Sequence, residues 1–217
     1  MIINSMQRNG LILAAFALAA TFLVLGTAWL TEDRIQAQAQ QQLQQNLDAV
    51  LPASAYTNNL LDHCLWVSDP ALGSSEPQRV FLAFRDQAYV GAAIETIAPN
   101  GYSGTIELLV AVWADQSVAG VRTLKHAETP GLGDKIERRK SDWIESFTGM
   151  RVNSDPDPRW AVQREGGVFD QFTGATITPR AVIDAVERTV RFAQQQQAQW
   201  QQQPPAGCAA AEAGAAS

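Results

Sequence analysis

Residues 79–124 read RVFLAFRDQAYVGAAIETIAPNGYSGTIELLVAVWADQSVAGVRTL, in which apolar segments alternate with short polar or glycine-containing turns. β-Branched, aromatic and other apolar residues dominate each segment, which is typical of β-strands. Consecutive strands separated by such turns predict an antiparallel sheet. The predicted strands are RVFLAF (79–84), AYVGAAIE (88–95), TIELLVAV (105–112) and SVAGVRTL (117–124).

Helical signals follow the strands. The segment KSDWIESFTG (140–149) predicts a short helix that ends near Gly149, and DPDPRW (155–160) predicts a proline-stiffened loop. A longer helix is predicted for TPRAVIDAVERTVRFA (178–193). Thr178 is its candidate N-cap and Pro179 its first helical residue. Its apolar face carries Val182, Val186 and Val190. Strands followed by peripheral helices predict an α+β fold.

A membrane anchor is predicted near the N-terminus. Residues 11–30 read LILAAFALAATFLVLGTAWL without a charge, and about 20 apolar residues suffice to cross a bilayer as a helix. A cleaved signal peptide is the alternative, but its apolar core usually has only about 7–15 residues. Arg8 precedes the stretch, whereas Glu32 and Asp33 follow it. This charge bias predicts that residues 1–10 are cytoplasmic and that the rest of the chain lies outside, in the periplasm.

The glutamine-rich segment TEDRIQAQAQQQLQQNLDAVLP (31–52) predicts a second helical region that Pro52 ends. Its apolar stripe consists of Ile35, Leu43, Leu47 and Leu51. The segment is either a stalk or the first helix of the domain, and the two interpretations are equally favoured. The domain itself is predicted at 53–193, and the glutamine- and alanine-rich residues 194–217 are predicted to be a disordered tail.

Composition limits the functional classes. With 217 residues, the chain suffices for one well-buried domain plus appendages. A net charge of -6 and no basic stripe argue against a nucleic-acid partner. The cysteines, Cys64 and Cys208, lack CxxC or metal-site spacing, so no zinc, iron–sulfur or other metal site is expected. They form a disulfide or are two unrelated thiols.

The string DQFTGATIT (170–178) lies directly before the longer predicted helix. Gly174 and Ala175 are small enough to let backbone amides approach a ligand closely, and a helix N-terminus offers unpaired N–H groups and a positive dipole end. A phosphate near Thr176 would therefore be favoured. The alternative is an ordinary helix cap preceded by turn residues.

This string resembles the D-x-x-[ST]-G-A-[ST]-x-[ST] signature of domains that bind FMN covalently. The resemblance implies that Thr176 is the acceptor residue. Its oxygen would form a phosphoester with FMN, which a separate flavin transferase delivers from FAD. The resemblance also implies that Thr173, Gly174 and Ala175 shape the loop around the attachment point.

A second string, LKHAETPGLGDKIERRKSDWIESF (124–147), resembles the H-x-E-T-P-G-L-G hallmark of the same domains and is similar to G subunits of Rnf (Rsx) electron transport complexes. By analogy, Glu128 and Thr129 would hydrogen-bond the polar flavin edge and Leu132 would pack against the ring system. The alternatives are a solvated loop carboxylate for Glu128 and a structural histidine for His126.

The resemblance implies an electron carrier with covalent FMN in a membrane complex that couples ferredoxin and NAD redox chemistry to Na⁺ or H⁺ transport. Other subunits of that complex are the implied partners, and the chain would not be catalytic alone. The absence of Ser-His-Asp or Cys-His patterns also argues against a hydrolase. Two alternatives are the C subunit of a sodium-translocating NADH:quinone reductase, which shares both hallmarks, and a cofactor-free membrane-anchored adaptor.

Overall fold

The computed structural model describes residues 2–202 and Cys208, which fall into two compact units that divide after Gln45. The first unit is helical. Helix α1 spans Ile2–Val50, and its apolar part, Gln7–Glu32, has a mean hydropathy of 2.3 with none of it buried. At about 1.5 Å per residue this part exceeds the roughly 30 Å hydrocarbon thickness of a bilayer. The predicted span at 11–30 lies within it.

The second unit contains a five-stranded antiparallel sheet with the strand order β1-β2-β3-β4-β5. The strands are β1 (Cys64–Val67), β2 (Gln78–Arg85), β3 (Ala88–Gly101), β4 (Gly104–Trp113) and β5 (Val118–Lys125). The predicted α+β fold is therefore confirmed, including all four predicted strands. Strand β1 was not predicted, because its four residues, CLWV, are too few to show an alternating pattern.

The hairpins that join β2, β3, β4 and β5 are short, whereas β1 is joined to β2 by residues 68–77; strands that are neighbours in the chain pair with each other throughout. Asp86 and Gln87, with φ of 50° and 69°, form the two-residue turn between β2 and β3. Gly101 and Gly104 close the next hairpin as register partners, and Gly104 has φ +113°. This second turn presents Ser103, whose amide takes part in the site described below.

Both faces of the sheet are covered. Helix α2 (Ile177–Gln202) packs against β3 and β4, and its predicted apolar face, Val182, Val186 and Val190, is fully buried. On the opposite face, Val50 at the end of α1 lies so close to Gly120 that a Cβ there would be 3.1 Å from the Val50 Cα. Leu47 and Leu51 are fully buried as well, so the last turn of α1 belongs to the domain.

The connection between β5 and α2 consists of loops and short 3₁₀ helices around an aromatic cluster. The predicted short helix at 140–149 is a 3₁₀ helix, Asp142–Phe147, and Gly149 follows it with φ +81°. Phe147 is fully buried, with its ring centroid 4.5 Å from that of Phe169 and 5.4 Å from that of Trp143. These contacts hold the polypeptide that leads to α2.

The prediction of disorder from residue 194 was wrong for residues 194–202, because α2 continues to Gln202. The Gln194 and Gln197 amides donate to the carbonyls of Val152 (3.1 Å) and Ala114 (2.8 Å). Trp200 is only 3% exposed. The polar composition gave no sign of these contacts. Glutamine side chains that donate to loop carbonyls can stabilise the end of a helix, as buried apolar residues do. Apart from Cys208, the remaining predicted tail, 203–217, lies outside the described residues.

Cys208 forms a disulfide with Cys64, and the two Cα atoms are 5.1 Å apart. The sequence leaves this pairing open, because two cysteines separated by 144 positions carry no local signal. The bond ties the C-terminal part of the chain to β1 at the edge of the sheet.

Candidate functional site

The two sequence hallmarks fold into neighbouring loops. The HAETPGLG loop (126–133) follows β5, and the TGAT loop (170–176) precedes α2. A Cβ added to Gly174 would lie 3.3 Å from the Leu132 Cδ2. The Thr178 hydroxyl donates to the Glu128 Oε2 over 2.5 Å, across 50 positions of sequence. The two loops therefore form one site.

Thr176 is exposed and directly precedes Ile177, the first residue of α2. The first N–H groups of a helix have no partner within the helix, and the helix dipole places partial positive charge there. Arg180, one turn later, donates to the Thr176 carbonyl oxygen over 3.3 Å and pairs with Glu165 at 2.6 Å. The position therefore combines an accessible hydroxyl with the surroundings of an anion site.

The TGAT loop owes its shape to Gly174, which has φ +82°. A side chain there would be strained and would also crowd Leu132. The Ala175 amide donates to the Phe172 carbonyl oxygen over 3.3 Å, which closes the turn. Thr173 is exposed at the tip of the loop, and Ala175 is half-buried.

The aromatic cluster anchors the start of the TGAT loop. Phe172 is 4% exposed and meets Trp143 edge-to-face, with ring centroids 4.9 Å apart. The Trp143 Nε1 donates to the Asp170 carbonyl oxygen over 2.8 Å. The Lys135 ammonium lies 6.0 Å from the Phe172 ring centroid. The loop thus rests on packed side chains and does not depend on its own turn alone.

The HAETPGLG loop is a compact turn. The Thr129 carbonyl oxygen accepts from the amides of Leu132 (3.2 Å) and Gly133 (3.1 Å), and the Gly131 amide donates to the Asp134 Oδ1 over 2.8 Å. Thr129 is half-buried, whereas Leu132 is 41% exposed and borders the TGAT loop. The turn therefore presents an apolar side chain beside the TGAT loop.

Glu128 has a different environment from that expected of a solvated loop carboxylate. It is 5% exposed, and its Oε1 accepts from the Ser103 amide over 3.0 Å while its Oε2 accepts from Thr178. Its amide donates to the His126 Nδ1 over 3.0 Å, so the ring proton of His126 sits on Nε2, which faces the Glu137 Oε1 at 3.0 Å. His126 thus has both nitrogens engaged, as in its structural interpretation.

Glu137 completes this network. The hydrogen bond from Arg139, helped by the bond to His126, lowers the pKa of Glu137 below its ordinary value. The carboxylate is therefore ionised and remains an acceptor for the imidazole N–H at neutral pH.

Sequence reasoning placed the start of α2 two residues too late and missed one residue of the site. Thr178 is not the N-cap and Pro179 is not the first helical residue, since α2 already begins at Ile177, and the Thr178 hydroxyl is turned inward to Glu128. Arg180 was not predicted as part of the site, although its i+4 spacing from Thr176 on a predicted helix was a usable signal.

The residues present fit a flavin mononucleotide. The exposed Thr176 hydroxyl, the start of α2 and Arg180 suit a phosphate. Leu132 (41% exposed) and Ile177 (44% exposed) offer apolar surface beside it. Within residues 2–202 and at Cys208, no group of three or more His, Cys, Asp or Glu side chains is arranged to hold a metal ion.

Comparison with known families agrees with this geometry. Residues 101–191 match the model of the FMN-binding domain, which includes both loops and most of α2, and residues 1–50 match that of the RnfG N-terminal region. The second match covers the whole of α1 and its apolar segment.

Relatives match this chain over most of its length and most of their own. The chain is 48% identical over 202 residues to the G subunit of the ion-translocating oxidoreductase complex of Vibrio vulnificus, with 93% of this chain and 96% of the relative covered. It is 50% identical over 191 residues to the corresponding protein of Pectobacterium atrosepticum (88% and 91% covered), and 50% identical over 192 residues to that of Yersinia pestis (88% and 92% covered). These matches favour the Rnf-type interpretation over the quinone-reductase alternative. The chain therefore belongs to the family of G subunits of ion-translocating oxidoreductase complexes and contains that family's FMN-binding domain.

Proposed function

We propose that this chain carries FMN bound through a phosphoester to Thr176 and relays electrons within a membrane redox complex. The observation that carries the proposal is the position of Thr176. This exposed residue directly precedes α2, in the TGAT loop, and that loop lies against Leu132 of the HAETPGLG loop. Thr173, Gly174 and Ala175 would shape the attachment loop, and Thr129 and Leu132 would border the flavin. Arg180 would add positive charge near the phosphate.

The attachment requires a donor and a separate flavin transferase. The Thr176 oxygen forms a bond to the phosphorus of the FMN half of FAD, the bond from that phosphorus to the bridging oxygen breaks, and AMP leaves. The hydroxyl proton is released. This chain contributes an accessible nucleophile and a positive helix end, which stabilises negative charge on the phosphate.

Bound FMN would supply electron transfer one electron at a time between neighbouring redox centres. The exposed apolar groups at Leu132 and Ile177 would exclude water from one side of the site. Within the described residues only one helix, α1, is long and apolar enough to span a membrane. Transport of Na⁺ or H⁺, coupled to ferredoxin and NAD redox chemistry, would therefore be the task of other subunits.

The domain is proposed to face the periplasm. Arg8 precedes the charge-free stretch 11–30, and Glu32 follows it. The Cys64–Cys208 disulfide supports the same side, since disulfides persist in oxidising compartments. Trypsin added to intact spheroplasts tests this orientation. Digestion of the domain without lysis is expected, whereas protection until the membrane is lysed would place the domain in the cytoplasm.

The attachment is tested by intact mass and in-gel flavin fluorescence of the denatured chain after co-expression with a flavin transferase. The wild-type chain should fluoresce and gain the mass of one FMN less one water, and Thr176→Ala should lose both signals. Thr148→Ala, which removes the hydroxyl of an exposed threonine outside both loops, is the matched control and should keep them. Unmodified wild-type chain beside an active transferase would favour the cofactor-free adaptor.

A further inference from the structure

We propose that Glu128 and Thr178 form a clamp that positions Thr176 for flavin attachment, and that neither side chain contacts the flavin. This inference rests on the proposed attachment at Thr176. It replaces the expectation that Glu128 hydrogen-bonds the flavin edge with a role inside the protein. The clamp joins the first turn of α2 to both the HAETPGLG loop and the β3–β4 turn.

The clamp rests on hydrogen bonds from three parts of the chain. One Glu128 oxygen accepts from the Ser103 amide in the β3–β4 turn, and the other accepts from the Thr178 hydroxyl on α2. The Glu128 amide is held by His126, which is itself held by Glu137. Hydrogen bonds to a carboxylate are stronger than neutral ones, and burial strengthens them further.

Close packing leaves no room for a ligand at this carboxylate. A Cβ added to Gly101 would lie 2.8 Å from the Glu128 Oε1, and one added to Gly133 would lie 2.8 Å from the Oε2. Thr178 is fully buried, and Glu128 is 5% exposed. Glycine is therefore needed on both sides of the carboxylate, and burial leaves little of its surface for a flavin atom to contact.

The position of Thr178 explains how the clamp acts on Thr176. The two residues are separated only by Ile177, in the first turn of α2, where backbone N–H groups lack helical partners. Fixing the Thr178 side chain fixes the rotation of this turn and hence the direction of the Thr176 hydroxyl. Without the Thr178 hydroxyl, the buried Glu128 oxygen loses its partner, and the turn can shift to relieve the loss.

The test measures the rate of flavin attachment to purified full-length chain in detergent, with FAD, Mg²⁺ and a flavin transferase, by intact mass over time. Thr178→Val keeps the side-chain shape and removes the hydroxyl, so attachment should slow by about tenfold or more, since small misplacements at reacting groups cost that much or more. Thr178→Ser keeps the hydroxyl and should recover most of the wild-type rate.

Thr189→Val is the matched control. Thr189 is also fully buried on α2, and its hydroxyl donates to the Ala185 carbonyl oxygen over 2.7 Å. It lies 11 residues beyond Thr178, about 16 Å along the helix. Thermal unfolding of each variant is measured in the same samples. Thr189→Val should attach flavin at the wild-type rate even where its stability loss equals that of Thr178→Val.

A second pair of variants tests the Glu128 side of the clamp. Glu128→Gln keeps an acceptor for the Ser103 amide and offers Thr178 a donor, whereas Glu128→Ala removes both hydrogen bonds. The clamp predicts that Glu128→Ala slows attachment more than Glu128→Gln does.

The outcomes distinguish this inference from the proposal on which it rests. Wild-type chain that never gains FMN overturns attachment itself. Wild-type chain that gains FMN while Thr178→Val gains it equally fast overturns the clamp alone. Equal slowing by Thr178→Val and Thr189→Val, or by Thr178→Val and Thr178→Ser, would also overturn the clamp, because the cause would then be general destabilisation or the loss of shape.

Discussion

Gly133 offers a direct test of the packing around the two loops. A Cβ at this position would lie 2.8 Å from the Glu128 Oε2 and 3.0 Å from both the Glu128 Cβ and the Thr178 Oγ1. These atoms are buried and joined by a 2.5 Å hydrogen bond, so they cannot move apart without breaking it. Gly133→Ala should therefore overpack the site.

The expected loss of stability in Gly133→Ala follows from the cost of moving the buried Glu128 and Thr178 side chains. Overpacking a buried site by one methyl group typically costs about 1–3 kcal/mol. For a domain of this size, each kcal/mol lowers the melting temperature by about 2–4 °C. We therefore expect Gly133→Ala to melt about 2–12 °C below the wild type. The assay is thermal unfolding of the full-length chain in detergent, followed by tryptophan fluorescence, since Trp143 and Trp160 are buried beside the loops.

Gly131→Ala is the matched control in the same loop. It has φ +78° but nothing within 4 Å of an added Cβ, so its cost is backbone strain alone, about 1–2 kcal/mol. Gly133→Ala should also slow flavin attachment, because the added methyl group would displace the side chains that form the Glu128–Thr178 hydrogen bond. A Gly133→Ala chain that melts at the wild-type temperature and attaches flavin at the wild-type rate would refute the packing argument.

Three further predictions concern the rest of the domain. The hydrogen bond from Arg159 lowers the pKa of Asp157 below its ordinary 3.8. The ionised Asp157 carboxylate therefore contributes fully to the stability of the folded state above about pH 4, and this contribution is lost as the pH falls further. The stability difference between wild type and Asp157→Asn in urea titrations should therefore shrink below about pH 4, and a constant difference would contradict this. Cys208→Ser removes the disulfide to Cys64, whose two cysteines are 144 positions apart, and should lower the free energy of unfolding by up to about 5 kcal/mol in the chain-entropy estimate. Wild type in reductant should match the variant, and equal stability with and without reductant would exclude the effect. Arg180→Gln should slow flavin attachment by about twofold to fivefold, the equivalent of about 0.4–1 kcal/mol for an exposed charge. Added salt should reduce the difference in attachment rate between wild type and Arg180→Gln. A rate equal to wild type at low salt would remove Arg180 from the site.

Local patterns predicted the main elements because their causes are local. The four longer strands are runs of mostly apolar residues bounded by turns, and the apolar face of α2 repeats with the helical period. Strand β1 is too short to stand out as such a run, and it pairs with β2 only through tertiary context. The helical end at 194–202 was missed because glutamine composition indicates solvation, whereas here Gln194 and Gln197 cap loop carbonyls.

For the candidate site too, local motifs were predictable from the sequence and contacts between distant segments were not. Two motifs located Thr176, Thr129 and Leu132 on loops that the structure brings together. The partner of Glu128 was beyond local reasoning, since Thr178 is 50 positions away and has the usual appearance of a helix cap. Contacts between distant segments depend on how the sheet and α2 pack, and no pattern within either segment encodes them.

The most direct measurement of the central claim is mass spectrometry of the tryptic peptide 165–180, EGGVFDQFTGATITPR, from wild-type chain matured with a flavin transferase. This peptide contains Thr173, Thr176 and Thr178, so fragmentation distinguishes the three hydroxyls. The account predicts the mass of one FMN less one water on Thr176 alone. FMN on either other threonine, or an unmodified peptide from a chain that releases its flavin on denaturation, would contradict it.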